Sequence, residues 1–160
     1  MRESVLKGIS FGITSGVVTT VGLLMGLAAS TNAVLPVISG ILIIAVADAL
    51  SDSFGIFVEE ESSGVSIKSM REAAAATFLA KFFVALSFIS FFIFFPLDLA
   101  VLCSVIWGVF LSGTFSLYLA KIKNQKKLPF ALSHIALTLI VIFLSHYLGK
   151  LISWLFTVNI

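Results

Sequence analysis

Two aspartates stand four residues apart in an otherwise apolar stretch: Asp48 and Asp52, in IAVADALSDSFGIFVEEES (Ile44 to Ser62). One helical turn separates them, so both carboxylates share a face. Glu59 lies seven residues beyond Asp52, about two turns on, and leads the stripe into an acid run of Glu59, Glu60 and Glu61. An aspartate at the centre of a membrane helix costs about 2.5–3.5 kcal/mol on insertion scales. Such a stripe should face a partner helix or a water-filled path, not lipid. Carboxylates spaced along a helix are hard oxygen ligands, suited to Mn²⁺ and workable for Fe²⁺. They can equally carry protons. Two plainer readings stand beside these: protonated acids bonded to neighbouring hydroxyls, and an ion pair between Lys81 and one aspartate.

The segment before the aspartates offers complementary groups. GISFGITSGVVTTVGLLMGLAAS places Gly8, Gly12 and Gly16 at four-residue intervals, followed by Gly22 and Gly26. Small residues at that spacing let helices approach closely. Ser15, Thr19 and Thr20 add hydroxyls and Met25 a thioether, which makes Ser15, Thr19 and Met25 candidates for lining a cation path as well as for packing. After the acid run come Met70 and Glu72, close to Lys68 and Arg71. With Glu59, Glu60 and Glu61 they could form a vestibule that concentrates cations, or simply a charge-balanced surface.

Other side chains carry less. His134 and His146 are twelve residues apart, about three turns, too far for chelation by that pair alone. Cys103, the single cysteine, excludes an intrachain disulfide and a Cys-rich metal site, and its apolar surroundings suggest an inert buried thiol. The run FISFFIFFPL is expected to face lipid and the interface. There is no phosphate loop, no G-x-S-x-G and no H-E-x-x-H, so no enzyme is expected.

The elements that must position these residues are membrane helices. Hydrophobic residues make up 59% of the 160-residue chain and charged residues only 11%, against about 25% charged in soluble domains. Mean hydropathy is +1.16. No basic face suggests nucleic acid, and the first apolar run is too long for a cleavable signal. Five segments reach the length of about 20 apolar residues that a span needs: 8–29, 33–58, 73–95, 97–120 and 129–156. The breaks are STNAVLP, the acid-to-basic segment, FPLD and the basic KIKNQKKLP. Arg2 and Lys7, Lys68 and Arg71, and Lys121, Lys123, Lys126 and Lys127 then fall on one side, while STNAVLP and FPLD carry no Lys or Arg. The positive-inside rule makes the N-terminus cytoplasmic and the C-terminus external. The expectation is an all-α polytopic membrane protein, one domain over 1–160, contacting the lipid bilayer.

At these residues the chain resembles the vacuolar iron transporter family. GITSGVVTTVGLLMGLAAS is close to that family's Asp-Gly-Leu-Val-Thr-Thr-x-Gly-Leu-x-x-Gly pattern. ISGILIIAVADALSDSFGIFVEEES is similar to its small-residue second helix, which carries Ser-Met-Ala-x-Gly-Glu-Tyr. The family's span-one aspartate falls at Ser15, its helix-two methionine at Asp52 and its glutamate at Ile56, while Ser51 and Gly55 are retained. The resemblance implies a homodimer that exports Fe²⁺ or Mn²⁺ from the cytoplasm by proton exchange. The cations would be cargo, with no permanently bound cofactor. The implied metal-handling set is Asp48, Asp52, Glu59, Glu60, Glu61, Ser15, Thr19, Met25, Met70 and Glu72. The membrane would be a prokaryotic cell membrane, or a vacuolar-type one in a eukaryote. The alternative is a non-transporting assembly protein whose intramembrane acids form structural pairs.

Overall fold

A computed structural model describes residues 3–157; Arg2, counted above among the orienting cations, lies outside them. The described chain is helical throughout, in the order α1 (Glu3–Thr31), α2 (Val34–Ile43), a π-helical turn (Ile44–Asp48), α3 (Ala49–Ser62), α4 (Ile67–Phe94), α5 (Leu97–Ile122) and α6 (Lys127–Thr157). With the π turn, α2 and α3 run on as one rod, so five helices are long and apolar enough to cross a membrane, as an integral membrane protein requires.

The turns follow from local chemistry. Asn32 ends α1 in the left-handed region at φ 48°, with its N–H on the Ala28 carbonyl, and Pro36 sits in the first turn of α2 where its missing donor is harmless. Gly64 supplies φ 69° after α3, and the Ser66 hydroxyl then caps α4 by accepting from the Ser69 N–H. Pro96 precedes α5, and Asn124 turns the chain toward α6 at φ 51°. Several expected boundaries move outward. Lys68 and Arg71 belong to the first turns of α4, and Lys121 and Lys127 to α5 and α6, because these helices continue past their apolar stretch into the charged region.

The packing is inverted relative to a soluble bundle. Large apolar side chains such as Phe83, Phe94, Phe110, Phe143 and Trp154 point outward, while small residues hold the interior. On α5 these are Ala100, Ser104, Gly108, Ser112, Ser116 and Ala120, buried at four-residue intervals. The Phe-rich run does not face lipid throughout: Phe88 and Phe92 turn into the core with Val17, Val21, Leu24 and Ile41. A helix shows every face in turn, so a continuous apolar run cannot be wholly external. Cys103 is only half-buried.

Helix α1 is the hub, touching α2, α3, α4, α5 and α6. Its glycines set the approach to α4. A Cβ on Gly8 would meet the Ala73 carbonyl, one on Gly12 the Thr77 carbonyl, and one on Gly16 the aliphatic stem of Lys81 at 3.2 Å. The small-residue stripe is therefore a packing seam that draws α4, and Lys81 with it, onto α1. Gly22 and Gly26 face α6 at Val141 and Ser145.

Gly12→Val should push α1 and α4 apart, because its β-carbon meets backbone that cannot yield. Thermal unfolding in detergent should register a loss of about 1–3 kcal/mol, the usual cost of overpacking. Gly55→Ala, where no atom lies within 4 Å of the added carbon, should be neutral or stabilising by up to about 1 kcal/mol. Equal losses at both positions would refute the seam.

Candidate functional site

Lys81 emerges from the middle of α4 with no exposed surface at all. An isolated ammonium there would be prohibitively costly, so the surrounding helices must neutralise it. They do so with three groups. The Lys81 Nζ lies 2.5 Å from Asp52 Oδ2 and 2.5 Å from Asp48 Oδ2, and 3.0 Å from Ser15 Oγ. Ser15 Oγ in turn donates to the same Asp52 oxygen at 2.6 Å. Asp52 and Ser15 thus form a closed, charge-assisted triangle with the ammonium. The Asp48 oxygen is at ion-pair distance but lacks hydrogen-bond alignment, and it is without any other hydrogen-bond partner. Its contribution is Coulombic.

Each member is placed by a different element. Gly16 lets the Lys81 stem lie flat on α1, and Ser15 adjoins that glycine. Asp52 is in the first turn of α3. Asp48 closes the π turn, in which the Ala49 N–H reaches back to the Ile44 carbonyl. A π turn carries one residue more than the α-helical repeat and so rotates the helix beyond it. Here it ends at Asp48, the first of the paired acids. The side chain of Asp52 is 20% exposed and that of Asp48 36%, so the cluster is closed on the Lys81 side and open on the Asp48 side. Asp48 borders a groove of about 560 Å³ with Val18, Thr19, Gly22, Ile44, Val141 and Ser145.

The ten residues proposed to handle metal divide among separate places. Asp48, Asp52 and Ser15 meet around Lys81, and Thr19 lies in the groove beside Asp48, its own hydroxyl donated to the Ser15 carbonyl. Glu59 and Glu60 are not an open acid patch: Lys7 on α1 binds Glu59 at 3.0 Å and Glu60 at 2.5 Å, and Glu60 is buried. Glu61 is exposed. Met70 is buried at the start of α4, and Glu72 accepts from Ser4 at 3.5 Å. Met25 lies toward the other end of the bundle, in a cavity shared with Asp98, His146 and Lys150. Among the described residues no three His, Cys, Asp or Glu side chains converge as a metal cage.

Both lysines of α1 and α4 that touch α3 therefore engage acids in pairs. Sequence reasoning allowed Lys81 one aspartate and gave Lys7 only an orienting role; the geometry gives each lysine two carboxylates. The signal was available in part, since Lys81 is the one cation within its apolar run. The π turn left no signal, because Ile-Ala-Val-Ala contains no breaker.

No protein-family model, curated protein or solved structure matches the chain.

Lys81→Met should leave two half-buried carboxylates facing each other without a counter-charge. Removing one partner of a buried ion cluster costs about 3–5 kcal/mol, which detergent-phase thermal unfolding can measure. The triple variant Asp48→Asn, Asp52→Asn, Lys81→Met should regain most of that loss. If the single variant is as stable as the native chain, the cluster does not hold these helices together.

Proposed function

We propose that this chain is a membrane cation transporter, exchanging a divalent metal ion, Mn²⁺ or Fe²⁺, for protons at Asp48 and Asp52. Lys81 holds that site when no metal is bound. The observation that carries the reading is the composition of the cluster: two carboxylates against one buried ammonium.

Fully ionised, the cluster keeps one negative charge in excess. Within a bilayer such a charge draws a compensating cation or proton. With one proton on the carboxylates, the site is neutral. A divalent ion between two ionised carboxylates is neutral only if the lysine is also uncharged. Lysine, unlike arginine, can surrender its proton in a buried site. Binding one divalent ion thus releases two protons, one from the carboxylates and one from the ammonium. Protonation from the far side reverses the step, and the returning ammonium displaces the metal. Ser15 and Thr19 supply neutral oxygens beside the carboxylates.

The likeness to the vacuolar iron transporters supports this reading at one point. The acid expected on α1 is Ser15 here, and the acid gained is Asp52 on α3. Ser15 Oγ and Asp52 Oδ2 are 2.6 Å apart. An acid lost from α1 is thus answered by an acid gained on α3, one hydrogen bond away, while the family's second-helix glutamate is Ile56 here. We further assign the end bearing Lys7, Lys123 and the α3–α4 turn to the cytoplasm, by the positive-inside rule, in a prokaryotic cell membrane. The outward apolar faces suit a homodimer.

A second reading, an assembly protein whose ion pairs only fasten helices, is favoured by the mutual satisfaction of Lys7 with Glu59 and Glu60, and of Lys81 with Asp52. Proteoliposomes separate the two. Mn²⁺ uptake should alkalinise the lumen, with about two protons leaving per ion, and should not respond to a clamped membrane potential, because the exchange is electroneutral. Asp52→Asn should abolish uptake while the protein remains folded. Folded native protein that moves no metal under any pH gradient would leave only the assembly reading.

A further inference from the structure

The cluster is sealed by α4 behind and open at Asp48, yet a second approach reaches it from the side of Ser15. Three cavities lie in series along α1. The first, about 660 Å³, opens at the charged end between Glu3, Leu6, Lys7, Lys123 and Phe130. The second, about 300 Å³, lies deeper between α1, α5 and α6 and is lined by Ser15, Thr19, Ser112 and Leu137. Phe11, Thr14 and His134 line both, so the two meet at His134. The third is the groove at Asp48, which shares Val18 and Thr19 with the second. Each is large beside the ~30 Å³ that a water molecule takes in the liquid.

The walls of this series are largely apolar, with Phe11, Val18 and Leu137 among them, but a line of polar groups runs along it. On α1 they include Ser10, Thr14, Ser15 and Thr19; α5 contributes Ser112 and α6 His134. Ser10, Thr14 and Thr19 donate to carbonyls one turn back, which leaves the oxygen lone pairs available to the cavity. Ionisable side chains within membrane helices face the bundle interior or a water-filled space. His134 sits at the junction of the first two cavities, its ring tilted against Phe130 at a centroid distance of 4.7 Å.

We propose that the cleft between α1, α5 and α6 is a water-filled passage from the Lys7 end to Ser15, and that His134 keeps wet the neck where its first two cavities join. Through Ser15, which binds both Lys81 and Asp52, the passage gives protons and hydrated cations access to the cluster. That role rests on the exchange reading; the hydration of the passage does not, so the two can fail separately. The histidine acts by polarity at the constriction: an apolar side chain there would expel water, as hydrophobic constrictions do in channels.

Thiol accessibility in lipid nanodiscs tests this. In a Cys103→Ser background, single cysteines replace Leu6 (first cavity only), Ser112 (second cavity only) and Phe143 (outer face of α6). The probe is a positively charged methanethiosulfonate, which reacts with thiolate and therefore in water. Leu6→Cys and Ser112→Cys should react at least about tenfold faster than Phe143→Cys, and adding His134→Leu should slow Ser112→Cys about tenfold while sparing Leu6→Cys. His134→Asn, which keeps a polar group, should restore the rate. Ser112→Cys as inert as Phe143→Cys would overturn the passage. Unchanged Ser112→Cys labelling in His134→Leu would overturn the role of the neck. Neither result depends on metal transport.

Discussion

Everything in this molecule is arranged around one ammonium that cannot reach water. Lys81 has a wholly buried side chain in the middle of a helix built to sit in lipid, and a charge in that position must be met by opposite charge at contact distance. Three features of the fold answer to it. The glycines of α1 bring α4 close enough for the Lys81 stem to lie against Gly16. The π turn sets Asp48 at its end, one turn before Asp52. Ser15 fills the remaining donor direction and bonds Asp52 at the same time. Without the lysine, the small-residue seam, the π turn and the paired acids would be three unconnected peculiarities.

The same logic recurs at the end of the bundle, on a smaller scale. Lys7 takes Glu59 and Glu60 as Lys81 takes Asp48 and Asp52. The partners lie about two turns further along each helix, and α1 and α3 run antiparallel. The acidic stripe is therefore matched by α1 at two levels: by a cation at Glu59 and Glu60 near the surface, and by a hydroxyl at Asp52 in the interior. The difference is solvent. Lys7 is about one-third exposed and Glu59 more than half, so that pair is screened and weak, whereas Lys81 has no exposed surface.

The sequence made the frame legible because hydropathy and the bilayer leave so little choice: an apolar run of that length can only be a helix. All five spans, the turns at STNAVLP and FPLD and the packing use of Gly8, Gly12 and Gly16 follow from that. It also made legible that Asp48 and Asp52 share a face and that this face must meet a partner helix. The hidden part depends on tertiary distance. An ammonium on α4 can serve one aspartate or two, and nothing in the spacing decides. The acid run of Glu59 to Glu61 looks like an open vestibule until Lys7, more than fifty residues earlier, is found folded against it. Met25 and Met70 have the right atoms for soft-metal contact but lie far apart along the bundle, as the span bounds already implied: Met25 near the end of the first span and Met70 ahead of the third.

The unequal count of charges is the deeper point. A single aspartate opposite Lys81 would have made a neutral pair, complete in itself and indifferent to any further ion. At Lys7 the same two-to-one count is met by solvent at the exposed Glu59, whereas the Lys81 ammonium has no exposed surface. The second carboxylate costs desolvation and leaves Asp48 without an aligned donor, a poor arrangement for stability alone. It creates a standing demand for one more positive charge at a place that opens toward a groove. On the exchange proposed above, the site would be neutral both with one proton on the carboxylates and with a divalent ion beside an uncharged lysine. Exchange between a metal ion and protons requires such a balance, since a carrier that strongly prefers either state would hold its cargo and stop.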